Sequence, residues 1–261
     1  MASTVLVREV LYRAGVLLQD IAPQFHRFPE RDQVDLFNDA QLAITKFLPA
    51  ACSIIAAIKL KPGTRQSIEK ILAAECKFFD GTSPAADLFG TQIIEFIRNM
   101  GADGLTPGKS IRITEREILD SQSPDWHTYT GTSVRQFTFN PLVPRSAYVT
   151  PGVTGTMWAE VAMTVQPTKA PQTVTPGTNR YLIDGSDATV ISVNDEHVDD
   201  LVNYIVARAN MKDLKWADAG KGAAFAQMFL TSLNAKVVAL GGANPNLSQL
   251  PFAPDPLGRA K

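Results

Sequence analysis

Met157-Trp158-Ala159-Glu160-Val161-Ala162-Met163-Thr164-Val165 places Met157, Ala159, Val161, Met163 and Val165 on one side of the chain and stops before Pro167. A period of two is that of a β-strand with one apolar face. Similar runs lie upstream. Val134 to Phe139 alternates and ends at Asn140-Pro141, Ala147-Tyr148-Val149 ends at Pro151-Gly152, and Ser53 to Lys61 closes on Pro62-Gly63. Ile93 to Met100 reads as a strand, with a short helix as the alternative, and Ser110 to Thr114 is a short alternating run. Thr114 followed by Glu117 has the spacing of a capping box and predicts a helical turn to Leu119. Short strands punctuated by proline and glycine predict an antiparallel sheet, sandwich or small barrel.

Outward from this middle the period becomes helical. Val7, Leu11, Ala14, Leu18 and Ile21 alternate gaps of four and three, and Pro23 ends that run. Pro29 suits a first helical position, and Val34, Phe37, Ile44 and Phe47 carry a second face to about Leu48. Past an exposed extended loop from Gln166 to Arg180 and a short run Thr189 to Ser192, Val198, Leu201, Val202, Ile205 and Ala209 form a third face. Ala219, Ala223, Ala226, Leu230, Leu233 and Val237 form a fourth. Each helix pair is too thin to bury its own stripe, so packing them together is the simplest solution. The expected fold is α+β. A helical bundle from 1–50 and 193–240 would carry an inserted β-rich domain, 51–192, and an extended carboxy-terminal arm, 241–261, stiffened by Pro245, Pro251, Pro254 and Pro256.

Composition narrows the function. The 261 residues carry 25 Lys+Arg against 26 Asp+Glu, a net charge of -1, with no basic cluster of the kind that phosphate binding needs. A hydrophobic share of 45% excludes wholesale disorder. Cys52 and Cys76 lack CxxC spacing and read as buried thiols of a reducing compartment. Phe47 to Ile58 reads as the longest mainly apolar run; with Pro49 inside it, it is short of the ~20 residues of a membrane span. Arg8 and Glu9 interrupt the first apolar stretch, so a soluble protein without an export signal is expected.

Catalytic motifs are sparse. Gly104-Leu105-Thr106-Pro107-Gly108-Lys109-Ser110 has three residues between its glycines where a P-loop needs four, and a strand-like run follows; a hairpin turn is the reading. Asp195-Glu196-His197 with Asp199 and Asp200 resembles an acidic metal site, but Asn194 as N-cap with acids complementing the helix dipole explains it more simply. Ser123-Pro124-Asp125-Trp126-His127 has the parts of an acid–base site, yet Ser-Pro-Asp is ordinary turn chemistry with Trp126 as anchor. No catalytic, metal or cofactor residue is assigned. The tail differs: Leu247, Leu250, Pro251, Phe252, Pro254 and Leu257 present apolar groups on a pre-extended segment, which predicts a partner-docking arm.

The chain resembles the head-to-tail adaptor, or connector, proteins of tailed bacteriophages, especially those of short-tailed phages. The resemblance runs through Leu6-Val7-Arg8-Glu9-Val10-Leu11, Ala40-Gln41-Leu42-Ala43-Ile44, Ile58 to Gln66, and Arg98-Asn99-Met100-Gly101. It continues in Pro124-Asp125-Trp126-His127, Phe137 to Pro141, Tyr148 to Gly152, and Tyr204 to Ala209. Phe78 to Gly90 departs from it as an inserted loop. The resemblance implies a non-enzymatic virion protein of the head–tail junction, made in the bacterial host cytoplasm. It implies a homo-oligomeric ring of about twelve copies under the portal protein. Tail or nozzle proteins would be further partners, DNA would pass the channel without specific contact, and no membrane or cofactor is involved. A tail-completion or tail-tube protein is the alternative within that class. A soluble hydrolase-like enzyme using the Ser123–His127 loop is the alternative outside it.

Overall fold

The computed structural model describes residues 4–20, 27–140, 142–172, 188–212 and 217–243. They fall into two compact units, one from residues 1–51 and 167–261, the other from 52–166.

The first unit is helical. Helix α1 spans Val7–Leu18 and buries Val7, Leu11, Ala14 and Leu18, as the period predicts, together with Val10; the predicted Ile21 lies outside the described residues. It ends where Gln19 turns left-handed and the Asp20 N–H donates to Gly15 O at 3.0 Å. A β-carbon on Gly15 would sit 3.1 Å from Asp20 O, so this turn favours glycine. The buried Asp20 carboxylate then accepts from the backbone N–H groups of Arg27 and Phe28 at 3.0 and 2.6 Å. Helix α2 spans Glu30–Phe47. Pro29 stands one position earlier than expected, extended, as its N-cap. Phe47 is exposed although its spacing predicts burial, because the helix ends there and Leu48 takes the core position.

The segments 167–172 and 188–192 also belong with the helices, not with the insertion to which the sequence assigns them. The cause lies in polar residues buried on α2. Asn38 exchanges two hydrogen bonds with the backbone of Ala170, at 2.8 and 3.1 Å, and Gln41 accepts from Ser192 N–H at 2.8 Å. These amides substitute for a strand partner, so Pro167 and Ala170 are buried where an exposed loop was expected. Val190 forms a single bridge with Leu6. The described part of this unit closes with α4, Val198–Asn210, and α5, Ala219–Ala243. Helices α1, α2 and α5 all contact α4, and one core draws on all four, including Val10, Phe37, Leu201 and Leu233. Helix α5 enters the span assigned to an extended arm at 241, because Gly241 and Gly242 weaken a helix without removing its donors and the prolines begin only at 245.

The second unit is built on strands β1 (Ser53–Leu60), β2 (Gly63–Ser67), β3 (Cys76–Lys77), β4 (Gly90–Met100) and β5 (Pro107–Ser110). They are followed by β6 (Arg112–Ile113), β7 (Thr130–Gly131), β8 (Gln136–Phe139), β9 (Ser146–Val153) and β10 (Met157–Val165). One sheet has the order β3-β1-β10-β4-β5. The other has β2-β9-β8-β6, with β7 paired to β9. Pairing is antiparallel except for the short β6–β8 and β7–β9 contacts, which are parallel. A single core takes Ile58, Phe96 and Val161 from the first sheet and Phe137 and Val149 from the second.

Strand β10 is central, flanked by β1 and β4. Its expected apolar face is buried, but so are Trp158, Glu160 and Thr164 on the other. Lys77 lies over the Trp158 ring at 5.4 Å, and Arg98 donates to Glu160 at 2.6 and 3.2 Å. Strand β9 runs through Pro151. Thr150 O accepts from Arg135 and Gly152 N–H donates to Tyr129 O, so the proline falls where the ladder needs no donor. Asn99, buried on β4, ties the sheets together: it donates to Lys109 O and Val134 O at 3.0 and 2.7 Å and accepts from Val134 N–H at 2.8 Å.

The expected capping box at Thr114 is absent. A third helix, α3, spans Arg116–Gln122 with Glu115 as N-cap and no side-chain cap bond, since Thr114 N–H is already paired to Phe137 O beside β8.

Candidate assembly interface

Helix α5 contains two ionisable residues in 25, Lys221 and Lys236, and both are committed to its own unit. Asp218 caps it by accepting from Lys221 N–H at 3.1 Å, and Lys221 Nζ reaches Leu17 O at the end of α1 at 2.7 Å. Three contacts then fix α5 antiparallel to α4. A β-carbon on Gly222 would lie 3.2 Å from Ala207 O, so the backbones meet closely at one end. In the middle, Phe229 meets Tyr204 edge-on with ring centroids 5.2 Å apart. At the other end, Lys236 Nζ donates to Asp200 Oδ2 and to Glu196 O, each at 2.6 Å.

The last contact is the tightest polar cluster of the unit. His197 and Asp200 are both fully buried, with Nδ1 and Oδ2 2.9 Å apart, and Glu196 lies 3.3 Å from Nε2 of the same ring. Burial pushes the Asp200 carboxyl upward. Hydrogen bonds from His197, Lys236 and Ser232, with the lysine charge, outweigh it and hold the group below its ordinary value. The sequence pattern makes Asp200 a surface acid serving the helix dipole. The structure instead starts α4 after a short 3-10 turn over Asp195–His197, with no cap bond from Asn194, and turns Asp200 inward to a lysine 36 residues away.

With Gly222, Phe229, Leu233 and Lys236 turned inward, the opposite side of α5 faces solvent. This reverses the expected phase: Ala219, Ala223, Leu230 and Val237 are exposed, and of the predicted stripe Leu233 is the fully buried member. Met228, Leu230, Val237, Val238 and Leu240 are between 37% and 74% exposed. Among the described residues, the exposed positions from Ala223 to Leu240 carry no ionisable side chain; Gln227, Thr231 and Asn234 are the neutral polar groups there. A surface helix ordinarily carries charge on its outer face, and an apolar strip of this length marks a contact site. Ala219–Leu240, 22 residues, is also long and apolar enough to cross a membrane, longer than the Phe47–Ile58 run singled out from sequence. Membrane insertion would strip Phe229 and Leu233 from the core and Lys236 from a buried carboxylate. A protein partner demands neither.

The other sequence candidates resolve locally. Gly104 to Ser110 forms the β4–β5 hairpin, where Gly104 takes a positive φ and Asp103 accepts from Leu105 and Thr106 N–H. Those bonds hold its carboxyl at about 2. Trp126 is buried and donates through Nε1 to Asp120 at 2.7 Å, as an anchor requires, and the His127 ring lies tilted against it with centroids 3.5 Å apart. Burial raises both cysteine thiols to about 11, which leaves them protonated. The arm residues Leu247, Leu250, Pro251, Phe252, Pro254 and Leu257 lie outside the described residues.

A subunit with two folded units and a long, charge-free outer helix face has the character of an assembly component. The family model for the SU10 adaptor protein matches residues 6–248, and the chain belongs to that family. It is therefore a structural adaptor protein of a bacteriophage and a virion component, which implies a non-enzymatic role. No curated protein matches the chain.

Proposed function

We propose that this chain is the repeating subunit of a head-to-tail adaptor ring. Copies dock beneath the portal protein, join the capsid to tail or nozzle components, and surround the path of exiting DNA. The charge-free outer face of α5 carries this reading, because it calls for coverage by protein in a particle component that is otherwise well folded. In the ring the helical unit acts as a bundle and the β-rich unit is its insertion. Residues 244–261 form an arm whose Leu247, Leu250, Phe252 and Leu257 clasp the portal or a neighbour, with Pro251 and Pro254 lowering the entropy lost on docking. A near-zero net charge suits a channel that must let DNA slide.

The test is particle mass by light scattering, for the chain alone and mixed with a portal ring. A portal-bound stoichiometry of about twelve is expected. A monomer or dimer that ignores the portal overturns the reading. Deleting 244–261 should leave the fold intact and weaken portal docking.

A further inference from the structure

We infer that His197 is a proton-binding site at the joint between α4 and α5, and that the joint is tighter with the proton bound. This concerns the single subunit and does not rest on the ring reading. Both nitrogens of the fully buried ring face carboxylate oxygens: Nδ1 lies 2.9 Å from Asp200 Oδ2, and Nε2 lies 3.3 Å from Glu196 Oε1. A neutral imidazole carries hydrogen on one nitrogen only. With it on Nδ1, the buried Nε2 lone pair has no hydrogen-bond partner and faces a carboxylate. With it on Nε2, the Nδ1 lone pair faces Asp200 instead. The imidazolium alone has hydrogen on both, so the Glu196 contact becomes an ion pair and the Asp200 bond becomes charge-assisted.

The surrounding charge points the same way. The groups facing the ring are Glu196 from its own turn, Asp200 from α4 and Lys236 from α5, whose Nζ stands 3.3 Å from Nδ1. The nearby acids Asp195 and Asp199 are engaged elsewhere, with Thr4 and with Arg13 of α1. Burial opposes a lone imidazolium and Lys236 repels it, but it enters between two carboxylates whose charge the lysine only half cancels. A proton on His197 completes the balance. Lys236 also donates to Asp200 Oδ2 and Glu196 O, so the ring, both acids and the last turns of α5 are tied together. As pH rises through the range where imidazoles lose their proton, roughly 5 to 8, the unbalanced charge and the unpaired Nε2 return, and α5 is held less firmly. Asp200 sets the acid limit, since its carboxyl is held below its ordinary value.

The experiment follows backbone hydrogen exchange of the full chain at about pH 5.5 and about pH 8, corrected for the intrinsic rate, with side-chain nitrogen NMR of the histidines alongside. Protection of residues 230–240 should fall about tenfold between the two, no more than about threefold in Glu196→Gln, and residues 157–165 of β10 should not change. The NMR signal lost in His197→Gln should be an imidazolium at the lower pH and neutral at the higher. Glu196→Gln, at an exposed position, shifts the same signal and identifies it if His197→Gln fails to fold. A ring already neutral at the lower pH overturns the proposal, as does protection that is level or rises with pH. An equal fall in Glu196→Gln, or a matching fall in β10, also overturns it, because the proton then acts through another group or through the whole chain.

Discussion

Helices α4 and α5 lie side by side and antiparallel, yet they follow different rules. Helix α4 is amphipathic: Val198, Leu201, Val202, Ile205 and Ala209 are buried, while Asp199 and Arg208 occupy other sides. Helix α5 is apolar nearly all round, and its two lysines are turned toward its own unit. The first helix is covered by three others, α1, α2 and α5; the second has a face covered by α4 and an uncharged outer face exposed to solvent. A sequence that lacks charge on every side of a helix does not report the direction of the monomer core.

Five measurements test that contrast, in decreasing order of effect. Phe229→Ala, on the inner side of α5, should lower urea-unfolding stability by about 4 kcal/mol. If it falls by no more than an outer-face substitution, the assigned helix phase is wrong. Lys236→Met leaves a buried carboxylate without its cation and should lose about 3 kcal/mol, somewhat moderated by partial exposure of the lysine. That pairing also has a pH signature. Asp200 is held below its ordinary value, so its contribution is complete above about pH 4 and is lost as pH falls through the lower folded value. Asp200→Asn should flatten the acid side of the stability curve; an unchanged acid limb would remove Asp200 from the account. In the β-rich unit, which has no such two-sided helix, Asn99→Ala strands the backbone N–H and C=O of Val134 and should lose about 2 kcal/mol in chemical denaturation. Val238→Thr, outermost on α5, should change monomer stability by less than about 0.5 kcal/mol. A larger loss would mean that Val238 already has a partner within the monomer.

The same contrast marks how far the chain can be read without its fold. The phases of α1 and α4 are legible because charge and apolarity segregate along them, and Met157–Val165 is legible to the residue because proline and glycine bound it. The phase of α5 is not, since Ala223 and Leu230 fit a helical period as well as Phe229 and Leu233 do. The segment 167–172 reads as an exposed loop because its partners are the side chains of Asn38 and Gln41, and no periodicity announces an amide acting as a strand. The cluster of Lys236, Asp200 and His197 is out of reach for a similar reason: local pattern explains an acid in a first helical turn, and only packing against α5 turns it inward. An all-apolar window at 219–240 is the sign of the uncharged outer face that α5 carries, and its length, more than its period, holds that signal.

The insertion begins and ends on paired strands. Ser53 opens β1, Thr164 lies near the end of β10, the two are register partners, and their hydroxyls are 3.2 Å apart. The chain thus leaves and re-enters the helical unit through neighbouring points, and the β-rich unit adds almost no span to the connection between α2 and the segment at 167–172. To the helices, more than a hundred residues amount to a short loop. Such a unit is a cassette: it can be excised, exchanged or moved to another scaffold at a surface hairpin, leaving the donor fold with a gap that a turn of a few residues can close.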